Sequence, residues 1–388
     1  MIRLAFFIHF NRTWIGGVNV MLNLINSIAK KKNISSKIKI ILITNSKKNL
    51  KKFFLNKNVF IIEDQSFFNR SIFFKILDKI SLIVFGKTYY LEKFLIKNKI
   101  NFVSHTDIAT GVNSEVKSIV WIPDFQFLYL GKLFSLKYKL LRRLNIFLYK
   151  KHAYKILLSS NSAYNDLKKI INIPKKKIIV NSFSFVLPSV NRLKSFSYMK
   201  KKYNLKENFF YLPNQYWVHK NHQVVINALK NLKIENKLNN IYVYSTGSKK
   251  DYRRPNHFKN LMENVEKEKL HNHYIYLGTL PFIDVLSLIY HSKAILNPSL
   301  FEGWSSTVEQ AKAYNKKIIL SKISVHFEQK PPNAVFFDPN NSNNLSRILI
   351  NVFNKKKSKS RSNILKKAQR NLNFKIEKYE KKYIDMIY

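Results

Sequence analysis

The chain has 388 residues, more than one hydrophobic core usually serves, and its 46% hydrophobic and 14% aromatic content excludes both a disordered chain and a short peptide-like module. Cysteine is absent, which excludes disulfide scaffolds, thiolate metal sites, iron–sulfur clusters and cysteine nucleophiles. The net charge is +47, yet only 11 of the 69 basic residues are Arg, and Lys runs at 30–32, 47–52, 149–151, 175–177, 200–202 and 355–357 are scattered rather than gathered into a stripe. That pattern fits an A/T-rich composition bias better than a polyanion-reading surface, and no nucleic-acid reading module is present.

The start, MIRLAFFIHFNRTW, carries one Arg and a short apolar run with no small-residue cleavage site, so Arg12, Trp14 and Gly16-Gly17 read as a strand leaving a core and predict a cytoplasmic chain. The greasiest stretch, 80–85, is closed by Lys79 and Lys87 and is too short to span a bilayer. Short runs rich in Ile, Phe and Tyr predict strands near 4–8, 38–44, 59–62, 102–103, 119–122, 157–159 and 178–181. A second series follows near 209–212, 241–245, 274–277, 294–297, 318–321 and 335–337, with helical segments such as 221–232 and 281–291 between them. Strand–helix alternation predicts parallel sheets covered on both faces, in two similar α/β domains with a cleft between them.

The segment 187–202, with Pro188 and mixed polar residues, reads as the linker. The expected division is therefore 1–190, 191–360 and a C-terminal helix, 361–388, returning to the first domain through Phe374, Ile376, Tyr379, Tyr383 and Ile384.

Only eight glycines occur, so each is informative. Gly16-Gly17 opens the first helix, where free amides could meet an anionic group, and Gly247 and Gly303 repeat the arrangement; the alternative is that all of them only make tight turns. The most specific stretch is 297–329, NPSLFEGWSSTVEQAKAYNKKIILSKISVHFEQ, in which a strand ends, a loop carries Glu302-Gly303-Trp304, and Ser306-x-x-Glu309 reads as a capping box.

This stretch resembles the donor-binding motif of the retaining glycosyltransferases of family 4 (group 1), among them the lipopolysaccharide and O-antigen mannosyltransferases. The resemblance implies the GT-B fold, two Rossmann-like domains whose parallel sheets face across a cleft. By resemblance, Glu302 touches the transferred sugar, and the amides of Gly303, Trp304 and Ser305 hold sugar hydroxyls and phosphate. The family's second glutamate, which holds the ribose, falls on Gln310, a neutral partner still able to hydrogen-bond a hydroxyl; Glu309, one residue earlier, is the alternative.

A second match, 211–228 (YLPNQYWVHKNHQVVINA), resembles the segment whose basic pair neutralises the donor diphosphate. Lys220 fits one member, whereas the other falls on Gln215, and His219, Asn221 and the following helix start would add donors. His219 and His222 also have the spacing of half a metal site, but no carboxylate or cysteine stands near, and the family resembled needs no metal. Gly247, Gly278, Thr279 and Leu280 match strand ends that line the nucleotide pocket. In the first domain, 120–126 (VWIPDFQ) resembles an acceptor-side loop in which Asp124 would orient a hydroxyl, or is an ordinary turn after Pro123.

The resemblance implies transfer of a hexose from a nucleotide sugar, GDP-mannose or a UDP-sugar, to a glycan or lipid-linked acceptor, without cofactor or metal. The competing readings are a basic nucleic-acid-binding protein and another GT-B enzyme, an epimerase or phosphorylase. Two basic, aromatic segments, 67–99 and 129–155, suit docking to an anionic membrane surface on the cytosolic side; the alternative is a pair of helices with apolar faces turned to the core.

Overall fold

The computed structural model describes residues 1–10, 15–50, 53, 55–355 and 362–388. Arg12, Trp14 and parts of the Lys runs at 47–52 and 355–357 lie outside the described residues. Two compact units are formed, one from Met1–Phe125, Phe134–Val186 and Lys375–Tyr388, the other from Gln126–Leu133 and Leu187–Phe374.

The first unit is built on a seven-stranded sheet of β1 (Ile2–Ile8), β2 (Ile38–Thr44), β3 (Val59–Glu63), β4 (Phe102–Thr106), β5 (Lys117–Ile122), β6 (Lys155–Leu158) and β7 (Ile178–Val180), in the order β3-β2-β1-β4-β5-β6-β7. Every pairing is parallel. Parallel strands joined by helical crossovers are covered on both faces, and β1 shows it: Leu4, Ala5, Phe6 and Ile8 have no exposed surface.

The chain end completes this core. In the helix Ser362–Ile384, Tyr379 and Tyr383 are buried, and the Tyr383 ring lies 6.4 Å from Phe6 and 5.8 Å from His105. The Asn181 amide donates to the Tyr379 carbonyl at 3.0 Å, and buried Glu380 accepts from the Ser27 hydroxyl and pairs with Lys31. Phe374, expected on this face, is instead 67% exposed, and Ile376 is half-buried, while the helical period brings Tyr379 and Tyr383 onto one buried face.

The second unit holds β8 (Phe210–Leu212), β9 (Val243–Ser245), β10 (Tyr274–Tyr276), β11 (Ala294–Asn297), β12 (Ile318–Ser321) and β13 (Ala334–Phe337), all parallel, in the order β10-β9-β8-β11-β12-β13. Alternation along β8 sends Phe210 and Leu212 into one apolar layer, with the helix His222–Ile234, and Tyr211 into the opposite layer, with the helix Phe282–His291. Residues 187–202, where the linker is expected, are built into this unit: Pro188 accepts from the Tyr314 hydroxyl at 3.0 Å, the Lys194 amide donates to Ser287 at 3.0 Å, and Met199 is fully buried.

Tyr383→Ala would remove a fully buried ring from the first unit's core and is expected to lower its unfolding free energy by about 3–5 kcal/mol. A denaturant titration showing an unchanged midpoint would mean that the chain end does not complete that core.

Candidate active site

In an open parallel sheet, ligands gather beyond the carboxyl ends of the strands where the winding direction reverses. In the second unit that point lies between β8 and β11. The loops leaving these two strands, 213–221 and 298–305, carry Lys220 and Glu302. The Lys220 ammonium donates to Glu302 Oε1 at 2.6 Å, and the Ser299 hydroxyl donates to the same oxygen, also at 2.6 Å. The lysine side chain is 17% exposed and the glutamate 9%, so the pair sits at the protein surface but is largely withdrawn from water.

The two loops are fastened together. The Leu300 amide donates to the His219 carbonyl at 2.8 Å. Asn221, in the left-handed region at φ 54°, donates its side-chain amide to Pro298 at 3.2 Å and to Pro339 at 2.9 Å. Asn221 therefore latches backbone segments together.

Beneath Glu302 lies a buried polar network. Asn297 Nδ2 donates to Ser305 Oγ at 2.8 Å and approaches His326 Nε2 at 3.3 Å, while Asn297 Oδ1 accepts from Asn214 at 3.0 Å. His326 Nδ1 lies 2.9 Å from the Ser321 carbonyl, which assigns the proton to Nδ1 and leaves Nε2 to accept from Asn297. Burial pushes the His326 ring down to about 4, against an opposing pull from Glu302, so the ring is neutral at pH 7.

The helix Ser306–Ala313 starts one residue earlier than the expected capping box allows. Its N-cap is Ser305, whose hydroxyl accepts from the Val308 amide at 3.4 Å. Glu309 is buried and occupied by the Lys312 ammonium at 2.7 Å and the Gln329 amide at 2.9 Å, so it closes no capping box on Ser306. Both backbone groups of Ser305 are engaged by Gln329, the amide donating at 3.2 Å and the carbonyl accepting at 2.9 Å, which removes Ser305 from the amides open to a ligand. Gln310, on the adjacent helical position, hydrogen-bonds through its side chain to no described residue. Gly303 and Trp304 sit half-buried in the loop before the helix.

His219 is placed differently from the expectation. Its ring is 2% exposed and lies 3.3 Å from Arg253 Nη2. Burial first, then Lys220 and Arg253, hold it well below the usual histidine range, so it adds no positive charge beside Lys220. Arg253, which sequence inspection does not single out, is held on Asp251 through Nε at 3.1 Å and donates to Gln126 at 2.9 Å.

Gln215 is half-buried, and its carbonyl lies 3.2 Å from His222 Nε2. His222 Nδ1 meets the Tyr274 hydroxyl at 2.7 Å, so both histidines of the suspected half metal site are committed elsewhere. Among the described residues, no group of three or more His, Cys, Asp or Glu could hold a metal ion.

Gly247 is a packing glycine: its φ is 134°, a Cβ there would lie 2.6 Å from the Asn214 carbonyl, and its amide donates to Gly278 at 3.0 Å. Gly278, at φ 85°, would place a Cβ in open space, Thr279 beside it is exposed, and Leu280 is half-buried against the core. Gly16, Gly17 and Asp124 belong to the first unit; the two glycines lie in the first turn of the helix Ile15–Ala29, a Cβ on Gly16 would meet nothing within 4 Å, and Asp124 follows β5 half-buried.

Sequence inspection also missed Asn297, Ser299, His326 and Gln329. For Asn297 and Ser299 the signal is a polar side chain at or just beyond the end of an apolar strand, and for His326 and Gln329 it is a polar side chain buried in the short helix Ser324–Gln329, where burial obliges it to find partners.

Residues 195–371 match the family model described as glycosyl transferases group 1, a stretch lying wholly within the second unit. The fold is GT-B, and the match covers part of the second unit alone. Similar solved structures include a glycosyltransferase from Rickettsia africae ESF-5, 16% identical over 99% of this chain and 97% of that one, with a TM-score of 0.67. Alr3699/HepE from Anabaena, in complex with UDP and glucose, is 12% identical over 100% of this chain and 99% of that one, with a TM-score of 0.71. WaaG, a glycosyltransferase involved in lipopolysaccharide biosynthesis, is 11% identical over 96% and 95%, with a TM-score of 0.65. Comparison with curated proteins finds no match.

The neutral buried histidines make the second unit acid-sensitive. His326 takes up a proton near pH 6.5 when unfolded but only near pH 4 when folded, so the unfolded chain binds more protons in that window and stability falls as pH drops through it. His326→Gln is expected to flatten the slope of unfolding free energy between pH 6.5 and 4 by up to about 1.4 kcal/mol per pH unit, read from urea melts across that range. An unchanged slope would mean that the ring is not buried neutral.

Proposed function

We propose that the protein moves a hexose from a nucleotide-diphosphate sugar, with retention at the anomeric carbon, to a glycan or lipid-linked saccharide in cell-surface polysaccharide synthesis. The observation that carries this reading is the Lys220–Glu302 pair at the switch point of the second sheet. A diphosphate entering there meets an ammonium and the first-turn amides of Ser306 and Thr307, which no intrahelical carbonyl satisfies, the Val308 amide being taken by the Ser305 hydroxyl. Glu302 then serves a sugar hydroxyl, and Gln310 serves a ribose hydroxyl, a role supported by its uncommitted side chain and by the full commitment of Glu309.

The chemistry needs no poised side-chain base. The bond from the anomeric carbon to the diphosphate oxygen breaks as the acceptor oxygen bonds to that carbon from the same face. The acceptor proton passes to the departing phosphate oxygen, giving a glycoside and a free nucleoside diphosphate. The protein's part is positioning and stabilisation of the charge developing on phosphate, with Lys220 in place of a metal. Within the first unit, the Gly16-Gly17 helix start is assigned to donor binding and Asp124 to orienting an acceptor hydroxyl. Work on a lipid-linked acceptor places the protein peripherally on the cytosolic face of the inner membrane.

GDP-mannose is the first donor to test, and UDP-glucose the second, because Alr3699/HepE has been seen in complex with it. A cognate donor raises the melting temperature, and free nucleoside diphosphate accumulates only when acceptor is present, which separates transfer from epimerase or phosphorylase activity. Glu302→Ala and Lys220→Ala are each expected to lower transfer by about 10²–10³-fold while keeping a cooperative melt. Gln310→Glu is expected to keep donor protection. Near-normal turnover in either alanine variant would sink the assignment.

A further inference from the structure

Beside the Lys220–Glu302 site, the second unit holds a cavity of about 390 Å³ whose lining includes Val218, Arg253, Arg254, Asn256, His257 and Asn260. A space of this size suits a small organic molecule and is far more than one water or one simple ion fills. Arginine makes up only 11 of the 69 basic residues, so two adjacent arginines lining one cavity run against the composition that accounts for the lysines.

The two arginines have different duties. Arg253 is tied to Asp251 through its amide at 3.0 Å and through Nε at 3.1 Å, and Asp251, 2% exposed, also takes the Val218 amide at 3.1 Å. That carboxylate is spent behind the wall, and among the described residues none lines the cavity. Arg254 Nη2 donates to the Lys132 carbonyl at 3.3 Å, and its other guanidinium donors meet no described residue. The charge of Arg254 is therefore uncompensated, and its planar fork matches the oxygens of a phosphate.

The remaining polar side chains match hydroxyls. His257 Nε2 is buried with no hydrogen-bond partner, a costly state until something meets it. Burial, against an opposing pull from Asp251, holds that ring below the usual histidine range, so it is neutral at pH 7. Asn256 caps no helix amide with its side chain, and neither it nor Asn260 hydrogen-bonds through its side chain to a described residue. A neutral imidazole and an amide each offer a donor and an acceptor, as a sugar hydroxyl does, whereas a phosphate dianion alone would leave their acceptors idle.

The cavity shares a wall with the site already described. Val218 and Lys220 are the two ends of the 3₁₀ turn Val218–Lys220, about 4 Å apart along its axis, and Arg253 meets the ring of His219 between them at 3.3 Å. A ligand held here lies within a saccharide's length of the Lys220 ammonium.

We propose that this cavity binds a phosphorylated saccharide, its phosphomonoester on the Arg254 guanidinium and its hydroxyls on Asn256, His257 and Asn260, and that this saccharide is the acceptor. The acceptor role rests on the proposed function; the binding site does not.

The experiment is isothermal titration of the full chain with glucose 6-phosphate and mannose 6-phosphate, set against glucose, mannose and inorganic phosphate. A hexose phosphate is expected to bind at least about tenfold more tightly than either free hexose or inorganic phosphate. Arg254→Gln and Asn260→Leu are each expected to weaken that binding about tenfold, with melts unchanged because both side chains are exposed. Lys220→Ala and saturating UDP are each expected to leave it in place, which separates this cavity from the diphosphate site. With UDP-glucose or GDP-mannose as donor, the hexose phosphate is expected to stimulate nucleoside diphosphate release by the parent and not by Arg254→Gln. No preference for the hexose phosphate, unchanged binding in Arg254→Gln, or loss of binding with UDP or in Lys220→Ala would each overturn the site. Binding without stimulated release would overturn the acceptor role and leave the site standing.

Discussion

A lysine and a glutamate held 2.6 Å apart, where the winding of a parallel sheet reverses, set the terms for the rest of the second unit. Withdrawing two charges from water costs free energy that their mutual attraction recovers only when geometry is fixed and remaining polar atoms are satisfied. The protein meets that condition from below. Ser299 gives Glu302 its second hydrogen bond, Asn297 stands within 3.0 Å of Ser299, and Asn214, Ser305 and His326 in turn occupy Asn297. An apolar replacement anywhere in this chain would leave a buried partner unsatisfied, so the network holds the loop after β11 in one conformation. Preorganisation of this kind is what glycosyl transfer without a side-chain base needs, since the barrier is lowered by groups already aimed at the charge that develops.

The same neighbourhood shows how charge is rationed. Lys220 is balanced by Glu302 and Arg253 by Asp251, while His219, wedged beside both cations, stays neutral. The site is therefore close to electroneutral in a chain whose net charge is +47. On the proposed function, an incoming diphosphate would change that balance locally, competing with Glu302 for the lysine and releasing the carboxylate toward the sugar. Gross basicity contributes little to this selectivity, because surface lysines are screened over about 8 Å at physiological ionic strength whereas the withdrawn pair is not.

Legibility in the sequence followed burial. Strands buried on both faces, such as Ile38–Thr44, Ala294–Asn297 and Ile318–Ser321, are apolar runs closed by a polar residue, with Lys39 the one charged residue in the first, and their predicted and observed limits coincide. Lys220 and Glu302 were readable from motif resemblance, and the structure brings them together. What the sequence concealed are choices between neighbours. Two consecutive serines both suit an N-cap, and Gln329, 24 positions beyond Ser305, engages that residue's amide and carbonyl and leaves its hydroxyl to cap. His219 and Lys220 are adjacent, and only the approach of Arg253 shows which one turns inward. In the chain-end helix Phe374 is as apolar a candidate as its neighbours, and only its 67% exposure shows that it stays outside the core that Tyr379 and Tyr383 enter.

The helix Ile72–Phe85 shows the deeper limit of composition reasoning. A/T-rich bias supplies Lys, Ile and Phe throughout the chain, and it accounts for their number on this helix. It does not account for their direction. A bias acting on codons is blind to which side of a helix faces the core, yet here the lone acid points inward onto the amide of Tyr90 and the guanidinium of Arg70, and the large apolar side chains point outward. Exposed apolar surface of this extent promotes aggregation unless something covers it, so its persistence on one face, ringed by cations alone, is a property of the fold that composition cannot supply.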